Sequence, residues 1–174
     1  PCPKDLRKLF YKVKKAQGTD ITRIFCGLND PRNVIPSIEY AKAAGMIAQA
    51  ALCITYSPIH TVEYYVDLAK KFIDAGADEI CLKDMAGIGR PVSLGEIVAG
   101  IKAYKKDIVI QYHSHSGPGF CMASILEVAK ALLPLVGLLV VFLIFLFKLT
   151  LRQIIKICVG LIYAFLGLIL FLTG

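Results

Sequence analysis

Along residues 1–130 the hydrophobic pattern switches period again and again, each time in the same order. A run with apolar residues three and four apart comes first, as in Val62, Tyr65, Val66, Ala69, Phe72 and Ile73, and this spacing predicts an amphipathic helix. A short, mostly apolar run rich in β-branched residues then predicts a strand. "LRKLFYKVKKAQG" precedes "TDITRIFCGL", and "PSIEYAKAAG" precedes "MIAQAALCIT". "TVEYYVDLAKKFIDAG" precedes "ADEICLKD", and "SLGEIVAGIKAYKK" precedes "DIVIQYHS". Gly18, Gly45 and Gly76 stand where a helix ends in the left-handed region. The repeat of about 30 residues is the length of one βα unit. Strands that are apolar throughout suit a parallel sheet covered by helices. The pattern therefore predicts an α/β fold, either a doubly wound sheet or a (β/α)8 barrel. No strand is followed by a GxGxxG or GxxxxGK loop, which counts against a dinucleotide or nucleoside-triphosphate site.

Beyond Lys130 the pattern changes. Residues 131–147, "ALLPLVGLLVVFLIFLF", hold no charge, and residues 157–174, "ICVGLIYAFLGLILFLTG", hold none either. As a helix the first run would span about 25 Å, slightly less than a hydrocarbon core of about 30 Å. The connector between them carries Lys148, Arg152 and Lys156. Two such helices joined by a basic turn predict a transmembrane hairpin with its turn in the cytoplasm. Two domains are therefore expected, residues 1–130 and residues 131–174.

Composition sharpens this division. Residues 1–130 hold 17 of the 20 Lys and Arg and all 13 acids. Their basic start, with Lys4, Arg7, Lys8, Lys12, Lys14 and Lys15, reads as a solvated helix face, and no nucleic-acid motif accompanies it. Six cysteines at 2, 26, 53, 81, 121 and 158 form no CxxC pair. Three of them fall in apolar runs, as reduced, buried thiols do.

Polar residues gather at the predicted strand ends: Asn29 and Asp30, Tyr56 and Ser57, Lys83 and Asp84, His113 and His115. In a barrel these ends share one rim, where active sites lie. His113 and His115 are alternate strand residues, so both imidazoles face one side and can converge on a metal ion. A surface or hydrogen-bonded pair is the alternative. Lys83 is either paired with Asp84 or held at the barrel mouth as a functional amine. Asn29, Asp30, Arg32 and Asn33 are expected to cap the following helix, as are Tyr56, Ser57 and His60.

From about residue 8 to 130 the chain resembles the carboxyltransferase domain of biotin-dependent enzymes, the pyruvate carboxylase and oxaloacetate decarboxylase alpha-subunit family. The resemblance is carried by "ITRIFCGLNDPRN", "YSPIHTVEYYVDLAKKFIDAGADEICLKDMAG" and "YHSHSGPG". It implies a partial (β/α)8 TIM barrel of about four βα units, strands four to seven. Lys83, as a carbamate, would ligate a divalent ion with His113 and His115, and Lys83 would also be the catalytic residue. Zinc, manganese or cobalt would suit, with biotin as carboxyl carrier, a biotin carboxyl carrier domain or subunit as partner, and pyruvate or oxaloacetate as substrate. The resemblance starts after the family's metal-ligating aspartate and the arginine that grips the keto acid. The expected function is thus a fragment of a metal-dependent carboxyltransferase or decarboxylase, incomplete alone and weak in metal binding as a monomer. Cys26 stands where the family commonly has an aspartate, and Ser116 to Gly119 replace its Thr-x-Gly. A homo-oligomer could complete the half barrel. Residues 131–174 resemble an uncharacterised bacterial multipass membrane family, through "LTLRQIIKICVGLIYAFLGLILFLTG". The alternative function is accordingly an integral membrane protein, a transport or accessory subunit with a vestigial or chimeric soluble domain. The soluble part is expected in the cytoplasm, anchored through the hairpin.

Overall fold

The computed structural model of the chain describes residues 2–132 together with 137, 153, 155, 156, 159 and 160. Its elements are α1 (Lys4–Ala16), β1 (Ile21–Ile24), α2 (Pro31–Ala43), β2 (Ile47–Cys53), α3 (Val62–Asp74), β3 (Glu79–Asp84), α4 (Pro91–Tyr104) and β4 (Val109–Ser114). A further helical stretch, α5, covers 121–132. Gly18, Gly45 and Gly76 end the first three helices at φ of 93°, 76° and 97°. After α2 the Gly45 N–H reaches the Lys42 carbonyl at 2.9 Å, and the Met46 N–H reaches that of Ala41 at 3.0 Å. These bonds satisfy carbonyls that the helix end would otherwise leave open. The caps fall on Asp30, whose carboxylate accepts the Arg32 N–H at 2.9 Å, and on Thr61, whose hydroxyl accepts the Tyr64 N–H at 3.2 Å.

The four strands are parallel and hydrogen-bonded in the order β1-β2-β3-β4. Consecutive order decides between the two architectures the pattern allowed. A doubly wound sheet reverses its strand order so that helices cover both faces. Here every crossover advances one strand in the same direction, and with the right-handed connection that parallel strands take, this puts the helices on one face. The result is four βα units of TIM-barrel type. On the covered face Ala48, Ala50, Leu52, Ile80 and Leu82 pack with Val34, Ile38, Phe72, Leu94, Val98 and Ile101 in one buried core. Full burial of each large side chain contributes about 1.5–3 kcal/mol.

The opposite face alternates with this one and is polar at its centre. Arg23, Gln49 and Glu79 are register partners across β1, β2 and β3. Arg23 Nε donates to Gln49 Oε1, and Gln49 Nε2 donates to Glu79 Oε2 at 2.6 Å. Gln111 of β4 closes the network, donating to Glu79 Oε2 at 3.0 Å and accepting from Arg23 Nη2 at 3.0 Å. The buried Gln49 amide thereby has a partner for both its oxygen and its nitrogen in place of water.

The chain divides into two units, Pro1–Leu132 and Leu133–Gly174. The transmembrane hairpin expected over 131–174 is corrected. Among the described residues no helix is long and apolar enough to cross a membrane. Stretch 121–132 carries charge, with Glu127 and Lys130 ion-paired at 2.6 Å, and the two expected spans lie almost wholly outside the described residues. The bilayer partner, the membrane anchoring and the integral-membrane alternative that rested on the hairpin are withdrawn with it.

Candidate functional site

The polar residues anticipated at the rim do come from successive strand ends. Lys83 is the fifth residue of β3 and lies in register with His113 of β4 on one side and Cys53 of β2 on the other. Parallel pairing therefore brings Lys83 and His113 side by side on the face away from the helices. His115 follows one step beyond β4 on the same side. The two imidazoles meet with Nε2 atoms 3.2 Å apart, their ring centroids 5.2 Å apart and their planes at 64°. Burial is the main influence holding His113 below the ordinary imidazole range, with the charges of Lys83 and Arg23 adding to it. A neutral imidazole keeps a lone pair for a ligand.

The Lys83 ammonium lies 4.8 Å from the centroid of the Phe25 ring, a cation–π contact. It is not paired with Asp84. That carboxylate points to the helix side, is 1% exposed, and is fully engaged. Asp84 accepts the N–H groups of Ile88 at 3.0 Å and Gly89 at 2.8 Å. It also accepts the hydroxyls of Tyr112 at 3.3 Å and Ser114 at 3.2 Å. One carboxylate thus pins the loop after β3 to the end of β4. The Asp84 carbonyl accepts the His115 N–H at 3.2 Å, which fixes the backbone that presents the second imidazole. Gly87 completes the joint. Its φ is 68°, and a Cβ there would lie 1.9 Å from the His115 carbonyl oxygen.

Two nitrogens bound to one ion at about 2.0–2.1 Å, at tetrahedral or right angles, sit roughly 2.9–3.4 Å apart. The observed 3.2 Å between the imidazole nitrogens fits that requirement. Among the described residues no group of three or more His, Cys, Asp or Glu side chains is placed to hold a metal ion. The third ligand implied by the resemblance, Lys83, is of another chemical kind, and the structure places it beside the pair. The cofactor-binding residues, which the sequence left unknown, stay unassigned.

Sequence reading missed the four-residue polar network and the part Asn29 plays beyond the helix cap. Asn29 has φ 53° and is buried, and its amide bonds both the N–H and the C=O of Cys53 at 2.8 Å. It extends the pairing of β1 with β2 by side chain rather than backbone. The available signal was a positive-φ-tolerant residue directly before an acidic cap and proline. For the network the signal was Gln49, Glu79 and Gln111, each inside an otherwise apolar strand.

Comparisons with known proteins bear on the fold and the family. No family model matches the chain. The chain is 41% identical over 129 residues to a pyruvate carboxylase subunit of Methanocaldococcus jannaschii, covering 74% of this chain and 23% of that protein. It is 41% identical over 123 residues to the methylmalonyl-CoA carboxyltransferase 5S subunit of Propionibacterium freudenreichii subsp. shermanii, covering 70% and 24%. Among solved structures it superposes on the carboxyl transferase domain of Rhizobium etli pyruvate carboxylase with a TM-score of 0.70 and 27% identity, over 75% of this chain and 23% of that one. The chain thus spans about a quarter of the length of these two relatives. The resemblance of residues 131–174 to a membrane family is corrected, since these matches concern carboxyltransferases and no described helix can span a bilayer. Through its sequence and its (βα)4 fold alike, the chain matches part of the carboxyltransferase domain of biotin-dependent, pyruvate-carboxylase-type enzymes.

Proposed function

We propose that this chain supplies part of the centre of a metal-assisted carboxyl transfer between biotin and a 2-oxo acid of the pyruvate or oxaloacetate kind. The observation that carries the reading is the pair of imidazole nitrogens 3.2 Å apart at the end of β4, beside Lys83 in register on β3. The likeness to a carboxyl transferase domain whose structure was solved with pyruvate and biocytin supports the substrate class. It also supports a biotin carboxyl carrier domain or subunit as partner.

His113 and His115 would hold a zinc, manganese or cobalt ion through Nε2, a nitrogen and oxygen donor set that all three accept. When bound there, such an ion would supply Lewis acidity toward charge developing on the oxygens of a 2-oxo acid. Lys83 is the catalytic residue of this reading. Once the ammonium has lost one proton to water, the amine can bond through nitrogen to the carbon of CO2 and release a second proton, and the resulting carbamate is an oxygen donor beside the imidazoles. Before that step Phe25 holds the ammonium aside. Asp84 and Gly87 act through the backbone, keeping His115 at the height where its nitrogen meets that of His113.

Equilibrium titration of the full chain with Mn2+ or Zn2+ tests the assignment. Binding should be measurable, and His113→Ala or His115→Ala should weaken it by about tenfold or more, as loss of a ligand does where supporting groups alone cost tenfold. Labelled bicarbonate should give a carbamate carbon resonance that disappears in Lys83→Arg. Equal metal binding by the parent and both histidine variants would remove the reading.

A further inference from the structure

A cleft of about 500 Å3 lies on the far side of β1 from β2, where the start of α1 meets the end of β1. Its lining includes two cysteines, Cys2 and Cys26, and two arginines, Arg7 and Arg23, with no acid. Arg7 ties the first turns of α1 and α2 together, donating from Nη1 to the Asn33 carbonyl at 3.1 Å and to Ser37 Oγ at 3.2 Å. Asn33 in turn donates from its amide to Cys26 Sγ at 3.6 Å. The same contacts that dock α1 therefore end on the Cys26 sulfur. The Asp30 N–H, the Leu28 N–H and this amide all favour the sulfur as thiolate and hold its pKa below the ordinary thiol value. Cys2 is exposed, half a turn before α1. By contrast Cys53 and Cys81 are buried in the sheet, where burial pushes their thiols up.

We propose that Cys26 and Cys2 are a redox-active thiol pair. Cys26 attacks a small anionic disulfide of the oxidised-glutathione type, and Cys2 resolves the adduct into an intramolecular Cys2–Cys26 bond. In the first step the Cys26 thiolate forms a bond to one sulfur of the incoming disulfide, whose S–S bond breaks and releases one thiolate, protonated from water. In the second, Cys2 gives up its proton and attacks Cys26 Sγ, and the second small thiol leaves. Two protein thiols are oxidised and one small disulfide is reduced to two thiols. The attacking sulfur is the one with thiolate character, and its basic cleft favours a negatively charged disulfide. The bond would fasten α1 to the residue beside Phe25, whose ring covers Lys83.

The full chain, incubated with oxidised glutathione at neutral pH, is digested without reduction and mapped by mass spectrometry. The parent should yield a Cys2–Cys26 linked peptide and no retained glutathione on either residue. Cys2→Ser should trap glutathione on Cys26. Cys26 in the parent should react about tenfold faster than Cys121, the half-buried thiol outside the cleft. Persistent glutathione on Cys26 of the parent would overturn the pairing, and so would a Cys2 bond to another cysteine. Reaction of Cys26 no faster than Cys121 would overturn its role as attacking thiol, and that comparison needs no variant.

Discussion

Tyr65 is a phenol buried to 2% exposure whose oxygen lies among backbone groups rather than water. It accepts the Thr55 N–H at 2.9 Å and faces the carbonyls of Cys53 and Thr55, each at 3.2 Å. Burial pushes its ionisation from the ordinary 10.0 up to about 12. The neutral phenol is the form the fold favours, so its contribution is complete below pH 10 and is lost as the pH rises through about 12. Tyr65→Phe keeps the ring and leaves the Thr55 N–H without a partner. It should cost about 1–3 kcal/mol at neutral pH in a urea titration and flatten the alkaline limb of stability. An unchanged urea midpoint would show that water replaces the hydroxyl. Asp84→Ala should cost more, about 3 kcal/mol or above, because four donors lose one buried acceptor. At this scale the place of Lys83, His113 and His115 at strand ends could be read from the chain, because each follows an apolar, β-branched run. Tyr65 and Asp84 could not be assigned their partners, since a helix residue bonding back to a strand end, or a strand-end carboxylate bonding to the next loop and strand, is a tertiary fact.

Helices α1 to α4 and the four strands were visible in the pattern because local preference and burial agree along them. The differences arose at ends, where one side chain outweighs periodicity. The apolar spacing of the second helix begins at Pro36, yet α2 starts five residues earlier because Asp30 and Pro31 form a cap and first-turn pair. Thr61 takes the cap of α3, while Ser57 Oγ is engaged with His60 Nδ1 at 2.6 Å in the preceding loop. The glycines separate two kinds of junction. Gly18 has φ 93° with nothing near a prospective Cβ, whereas at Gly87 that Cβ would strike the His115 carbonyl. Gly18→Ala should therefore cost about 1 kcal/mol, the price of the left-handed backbone alone. Gly87→Ala should cost more than twice that and shift the imidazole resonances of His113 and His115, since the β4 end must move. Comparable urea midpoints for the two variants, with unmoved histidine resonances, would contradict the clamp between the two loops.

Across Pro1–Leu132 the order of the strands sets where stability resides. β2 and β3 are each hydrogen-bonded on both sides, while β1 and β4 have a partner on one side only among the described residues. β2 is buried from Ala48 to Cys53, and Ile80, Cys81 and Leu82 of β3 are each 0% exposed. On the outer strands Ile21 and Val109 remain about half exposed, at 51% and 49%. Amides protected by two neighbours and a dry core open only with the whole unit, whereas edge amides open by local fraying. Hydrogen exchange of the full chain should therefore be slowest across residues 48–53 and 80–84, and faster across 21–24 and 109–114. The site spans this gradient, with Lys83 on a central strand and the two histidines on an outer one. The pattern of apolar runs foretold the four units but not this gradient, because order and pairing depend on crossovers that no single run encodes. If β4 exchanges as slowly as β3, a further strand or chain covers its edge. The histidine pair would then be held as firmly as Lys83.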